Sequence, residues 1–298
     1  LRMEMRDIMS KIAILTDSSC DMPQELADKY GIDIMSFHIL LDDVDYVERE
    51  SCTNTEFYDK MRMAKGVPST AAITPIQFCE KYCQYVDEGY TDVIHVPINK
   101  SGSSTYNNAL MAQGMLREER PEHHLKIHLL DPHTYSMVFG WYLCEMARKL
   151  KNGAEISHVI QEFEQRMNCM EIILGPYTLK QMKKSGRISA AAAVMGELMG
   201  IRPIITLIDG KTKVEAKVRG DDKVVPAMVD LCQKRAAGVE NFDYMIGHTN
   251  IKQAADLEKA CRKAFGKPPL LVFELGGVVS ANTGPDTVAL VYTGQPRG

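Results

Sequence analysis

The chain lacks the glycine-rich signatures of nucleotide-handling enzymes. It contains no G-x-x-x-x-G-K-[ST] stretch, and no G-x-G-x-x-G follows its first strand-like run, where the sequence reads Asp17-Ser18-Ser19-Cys20-Asp21. Without such a phosphate cradle, nucleotide chemistry would have to come from a partner. A G-x-S-x-G elbow is also missing, which counts against a serine hydrolase despite the many serines. Charge of one sign is not in excess: 35 Lys and Arg stand against 39 Asp and Glu, so electrostatics give no reason to expect nucleic acid. A small neutral or anionic-headed ligand stays open.

Long apolar runs are absent too. The most apolar helix-like segment, residues 190–199, is far short of the roughly 20 residues that a bilayer requires, so no integral membrane segment is expected. The opening LRMEMRDIMS has no apolar core of a secretory signal. Eight cysteines (Cys20, Cys52, Cys79, Cys83, Cys144, Cys169, Cys232, Cys261) are scattered without the short paired spacings of a zinc site or a disulfide framework. Reduced thiols and a cytoplasmic location are the expectation. Internal repeats and low-complexity tracts are also missing, and the composition is that of an ordinary globular protein, 45% hydrophobic and 25% charged.

What is present is alternation. KIAILTD, IDIMSFHILL, TDVIHVPIN and KIHLLD are strand-like runs bounded by turns and separated by amphipathic helical stretches, the pattern of parallel strands with crossover connections. The second half differs. CMEIILG is followed by IRPIITLIDGKTKVEAKVRG, where Asp209-Gly210 between two strand-like runs signals a hairpin. DYMIGHT, PLLVFELGG and TVALVYTG supply further strands. The length suits two α/β domains, a mostly parallel first sheet over residues 11–170 and a mixed or antiparallel one over 171–296.

Three strand ends in the first domain run into hydroxyl-rich loops: residues 16–21, 101–105 and 131–134. Carboxyl ends of an open parallel sheet share one edge, where ligands bind at the topological switch point, so these loops are expected to line one crevice. Ser103, Ser104 and Thr105 would open a helix, whose free N–H groups and dipole favour an anion. The same hydroxyls suit a plain helix cap equally well. Thr70 lies in a second hydroxyl-bearing loop that ends at Thr74-Pro75, a helix start, and residues 183–188 form a basic turn read first as a solvated helix end. For each of the eight histidines a satisfied or exposed side chain is a better expectation than a metal ligand; His133, just after a strand end on the expected binding edge, is the one to watch.

TDSSCD, STAAITP, SGSSTYNNA, LLDPHTYSMVFG, LKQMKKSGRIS, RPIITLIDG and the terminal GVVSANTGPDTVAL follow one another in the order and spacing of the DegV family, which the chain resembles over residues 11–294. The resemblance implies a protein similar to the fatty-acid-binding subunit of fatty acid kinase. Such a protein is a carrier and not an enzyme, and needs no cofactor. A buried long-chain fatty acid would lie between two α/β domains, the first contributing head-group loops and the second closing over the acyl chain. By position, the carboxylate-holding threonine and serine are Thr70 and Ser103, Ser104 stands where the family usually has glycine, and Arg187 matches a buried arginine near the lipid head. Two departures stand out. The usual threonine, serine, glutamine, proline, serine loop becomes Thr70, Ala71, Ala72, Ile73, Thr74, and Asn282 replaces the histidine ahead of Thr283-Gly284-Pro285, with Asp286 for the last glycine. Asparagine donates a hydrogen bond but cannot become cationic near neutral pH; through the resemblance Asn282 and Thr283 join Thr70, Ser103, Ser104 and Arg187 as the ligand-binding candidates. Arg219, after the hairpin, is the candidate for docking the kinase. The competing reading is a stand-alone nucleotide-dependent transferase or another doubly wound enzyme.

Overall fold

In the computed structural model, which describes residues 10–188 and 200–297, strands and helices alternate through the first half of the chain. They are β1 (Ile12–Asp17), α1 (Gln24–Tyr30), β2 (Ile32–Met35), β3 (His38–Leu41), β4 (Val44–Val47), α2 (Asn54–Met63), β5 (Ser69–Ala71), α3 (Pro75–Asp87), β6 (Asp92–Val96), α4 (Thr105–Glu119), β7 (Lys126–Leu129), α5 (Met137–Lys151) and α6 (Ile156–Met167). The second half follows with β8 (Met170–Pro176), α7 (Lys180–Ser185), β9 (Ile201–Ile208), β10 (Lys211–Arg219), α8 (Val224–Arg235), β11 (Tyr244–His248), α9 (Ile251–Phe265), β12 (Val272–Glu274), α10 (Gly277–Thr283) and β13 (Thr287–Thr293). The apolar stretch at 190–199 lies outside the described residues. Among those described, no helix is long and apolar enough to cross a membrane.

Four strands form a parallel sheet in the order β2-β1-β6-β7. β6 is buried throughout and β1 at all but its first residue, as parallel strands covered on both faces must be, which is why IAILTD and DVIHV read as continuous runs. From β1 the chain goes to one side for β2 and later to the other for β6, so the gap between the carboxyl ends of β1 and β6 is the switch point. Six strands form a second sheet, β10-β9-β8-β13-β11-β12, antiparallel except for the β11–β12 pair. Its hairpin turns at Asp209 (φ 49) and Gly210 (φ 70), the pair of left-handed conformations that an Asp-Gly two-residue turn supplies.

Two features depart from the sequence reading. IDIMSFHILL is not one strand: β2 joins the parallel sheet, while β3 leaves it to build a small antiparallel sheet, β4-β3-β5. The stretch around Thr70, expected as a loop, supplies the edge strand β5, with Thr70 opposite Ile39. Pro75 does open a helix, capped by a reciprocal Thr74–Gln77 box.

Period-2 alternation divides the second sheet between two cores. Ile172, Leu174, Ile205, Leu207, Ala289 and Val291 join a cluster with α5 and with Ile14, Ile94 and Val96 of the first sheet. Their neighbours Ile173, Ile204, Val288, Leu290 and Tyr292 face the opposite way, onto α8 and α9. Helix α5 therefore packs between the two sheets, and apolar side chains of both meet there.

Candidate functional site

A cavity of about 180 Å³ opens beside that shared core. Its apolar wall is the inner face of the second sheet, with Ile172, Leu174, Leu207, Phe273, Ala289 and Val291, joined by Phe37, Ile98, Val138, Val278 and Val279. Among the described residues its polar lining comes from five places: Thr70 on β5, Ser103 and Ser104 ahead of α4, Tyr135 and Ser136 ahead of α5, Arg187 after α7, and Asn282 and Thr283 on α10. All six residues singled out for a ligand, Thr70, Ser103, Ser104, Arg187, Asn282 and Thr283, thus surround one space.

Each is held there by local chemistry. Thr70 pairs with the buried Ile39 across the β3–β5 ladder, and directly opposed residues share a face, so its side chain turns inward while Ser69 and Ala71 are exposed. The Ser103 hydroxyl lies 2.8 Å from the Thr105 hydroxyl and accepts from Thr105 N at 3.3 Å; cap and cavity lining are combined in one side chain. Gly102 is forced by its neighbour, because a Cβ there would sit 2.2 Å from Tyr135 Oη. Gly210 at the hairpin tip likewise touches Asn99 and Ser101, where a Cβ would come within 2.3 and 2.6 Å of their polar atoms. The second-sheet hairpin therefore buttresses the loop that presents Ser103. On α10, Asn282 Nδ2 donates to Val278 O at 2.8 Å, which spends one amide hydrogen inside the helix. The Thr283 hydroxyl, in a residue 5% exposed, has no partner among the described residues. An unpaired buried hydroxyl on a cavity wall is a standing cost that a polar ligand atom would relieve.

Arg187 corrects an expectation. The resemblance implied a buried arginine, but here it lines the cavity from an exposed position and makes no ion pair among the described residues. Gly186 (φ 69) ends α7 in the left-handed conformation just before it, and the side chain that follows stays in water. Arg219 is exposed at the end of the edge strand β10 and does not line the cavity.

The first and third hydroxyl loops do not line the crevice as expected. Asp17, Ser18 and Ser19 are fully buried and spend their groups internally. Asp17 accepts from Ser19 N and Ser19 Oγ at 3.1 and 2.5 Å, and from Ile98 N at 2.7 Å across the switch point. Burial pushes the Asp17 carboxyl up to about 7, against the pull of those hydrogen bonds. His133 also stands aside. It is half exposed, with Nδ1 3.2 Å from Asp209 and 3.6 Å from Asp131.

Sequence reasoning missed a buried carboxylate pair behind the cavity wall. Glu48 Oε1 accepts from Val278 N at 2.8 Å at the start of α10. Asp21 accepts a bond from the Ser136 hydroxyl, and Ser136 itself holds a left-handed φ of 67. Burial, then the neighbouring Glu48 charge, pushes the Asp21 carboxyl well above its usual range. Glu48 is pushed up by burial as well. No local pattern marks this pair, since residues 21, 48, 136 and 278 meet only in the folded chain.

Among the described residues, no side chain in the cavity lining pairs a nucleophile with a base, and the polar groups there are neutral hydroxyls, the Asn282 amide and one exposed cation. Fold and site together define an α/β protein, with a parallel sheet, a mixed sheet and a small antiparallel one, whose apolar cavity is headed by hydroxyl groups. Residues 11–295 match the family model described as "Uncharacterised protein, DegV family", and the chain belongs to the DegV family. A DegV domain-containing protein of Clostridium acetobutylicum is 29% identical over 94% of this chain and 97% of its own length. A DegV family protein of Thermus thermophilus, whose structure is described as fatty acid binding, superposes with a TM-score of 0.84 at 25% identity, covering 96% of this chain and all of that one. A fatty acid binding DegV family protein of Streptococcus agalactiae gives 0.83 at 25% identity, covering 96% and 99%.

Proposed function

We propose that this protein holds one long-chain fatty acid, with the acyl chain against the inner face of the second sheet and the carboxylate at the hydroxyl end. The observation that carries this reading is the composition of one cavity: apolar sheet residues on one wall, and Thr70, Ser103, Ser104, Asn282 and the unpaired Thr283 on the others. Similarity to the fatty acid binding proteins of Thermus and Streptococcus supports it. Each buried methylene contributes roughly 0.8 kcal/mol, and neutral donors at a helix start suit an anionic head. The cavity volume, about 180 Å³, is below the roughly 300–1,000 Å³ usual for ligand sites. Loading therefore requires side chains of the apolar wall to give way.

In this reading residues 11–170 contribute most of the head-group lining and 171–296 close over the chain. The chain is a cytoplasmic carrier and not an enzyme. It presents the carboxylate to a separate fatty acid kinase, with the exposed Arg219 as docking residue. The test uses delipidated protein. Thr70→Ala and Ser103→Ala should each weaken fatty acid binding by about 1–3 kcal/mol, the scale for hydrogen bonds to a charged group, and unchanged affinity in the double variant refutes the head-group assignment. Labelled ATP and magnesium should give acyl phosphate only when a kinase is added; label transfer by the isolated chain would make it an enzyme.

A further inference from the structure

Cys79 and Cys83 stand four residues apart on α3, one turn above the other on the face packed against α4. Their C-x3-C spacing is short enough for a zinc site, which corrects the reading of all eight cysteines as scattered, and they meet a third group only in the fold: Glu119, the last residue of α4. Cys83 Sγ lies 3.6 Å from Glu119 Oε2, and one ligand atom from each of the three residues falls within 4.8 Å of the other two. Two sulfurs bound to one tetrahedral zinc stand about 3.8 Å apart, from Zn–S bonds of about 2.3 Å, so little movement would bring these three onto one ion. Among the described residues this is the sole such group, although Cys232 and Cys261 form another neighbouring buried pair.

We propose that Cys79, Cys83 and Glu119 bind a thiophilic divalent cation of the zinc type, with water in the fourth position. The exposures suit that role: Cys79 is 2% and Cys83 8% exposed, while Glu119 is exposed, so the ion has two buried sulfurs and a carboxylate at the solvent side. Binding replaces the two thiol protons, which leave to solvent. The two thiolates, the carboxylate and a divalent ion carry one net negative charge. The consequence reaches the cavity. α3 and α4 run side by side in the same direction: Asn108 Nδ2 meets Ile73 O at 2.7 Å near their starts, and Cys83 meets Glu119 near their ends. The ion would clip together the far ends of the two helices whose starts carry Ala72, Ser103 and Ser104.

The test is a titration of reduced, chelator-treated full-length protein with Co²⁺, followed by displacement with Zn²⁺. The wild type should take up one equivalent with a thiolate-to-cobalt charge-transfer band, and Zn²⁺ should abolish that band and raise the melting temperature. Cys79→Ser and Cys83→Ser should remove the band, while Cys232→Ser keeps it. Glu119→Gln, at an exposed position that leaves folding intact, should weaken Co²⁺ by at least the roughly tenfold that even an outer-shell partner is worth. No band in the wild type, a band that survives either Cys79→Ser or Cys83→Ser, or unchanged affinity in Glu119→Gln would overturn the site.

Discussion

Replacing Glu48 by alanine removes the acceptor that holds the first turn of α10. The residue is 5% exposed, Oε1 accepts from Val278 N at 2.8 Å, and Oε2 has no partner among the described residues. Its loss strands a buried N–H, at about 1–3 kcal/mol, and empties volume besides. For a chain of this size each kcal/mol shifts the melting temperature by roughly 2–4 °C, so a fall of roughly 2–12 °C is expected. Because α10 carries Val278, Val279, Asn282 and Thr283 into the cavity, fatty acid affinity should fall with it. Glu48→Gln separates acceptor from charge: it keeps the bond to Val278 and removes a negative charge beside Asp21. The sign follows from the raised carboxyl of Glu48. The folded state binds the proton more tightly than the unfolded chain, so its contribution is full at low pH and lost as pH rises through the folded value. Glutamine escapes that loss, and its stability relative to wild type should improve between about pH 5 and about pH 8. Thermal unfolding of the delipidated proteins at both pH values is the assay. Wild-type melting in Glu48→Ala, or Glu48→Gln falling as far as alanine, would refute the reasoning.

Asp17, pushed from 3.8 up to about 7 by burial, should cost the fold on the order of 4 kcal/mol as pH rises across that window; urea unfolding at intervals through it checks this, and a flat wild-type profile contradicts it. Arg187→Lys should leave melting unchanged because the side chain is exposed, while Arg187→Ala should weaken fatty acid binding more at low salt than at high salt. A loss of several degrees in the lysine variant would mean that Arg187 is held in a buried fork. Gly102→Ala should weaken binding by displacing Tyr135 and the Ser103 loop, given the 2.2 Å approach; equal affinity and equal melting would show that the loop adapts.

Much of this fold was legible because it is written in local chemistry. The hairpin turns at Asp209-Gly210, where both residues take positive φ, and Thr74-Pro75 opens α3 with its own cap. The buried parallel strands β1 and β6 show as unbroken apolar runs. Edge strand β5 was not legible, since three residues carry no period and Thr70 is ordered by its partner Ile39. The buried acids escaped for the converse reason. Asp17 and Asp21 sit in a sequence that reads as a polar ligand loop, yet Asp17 ties β1 to the loop after β6 and Asp21 ties to Ser136, contacts set by topology. Thr70, Arg187, Asn282 and Thr283 were ligand candidates through family resemblance and Ser103 and Ser104 also through their place at a helix start, but no spacing along the chain would have drawn Thr70, Ser103 and Thr283 together. Arg187 shows the limit of that route, for its position matched while its burial did not.

Whether the cavity carries a fatty acid is tested most directly by native mass spectrometry of the purified protein, followed by denaturation and analysis of what is released. The expected result is a complex heavier than the chain by one long-chain fatty acid, with that acid free after denaturation. Protein that runs at the bare chain mass in several preparations, and that fails to take up a fatty acid when one is supplied, would contradict it.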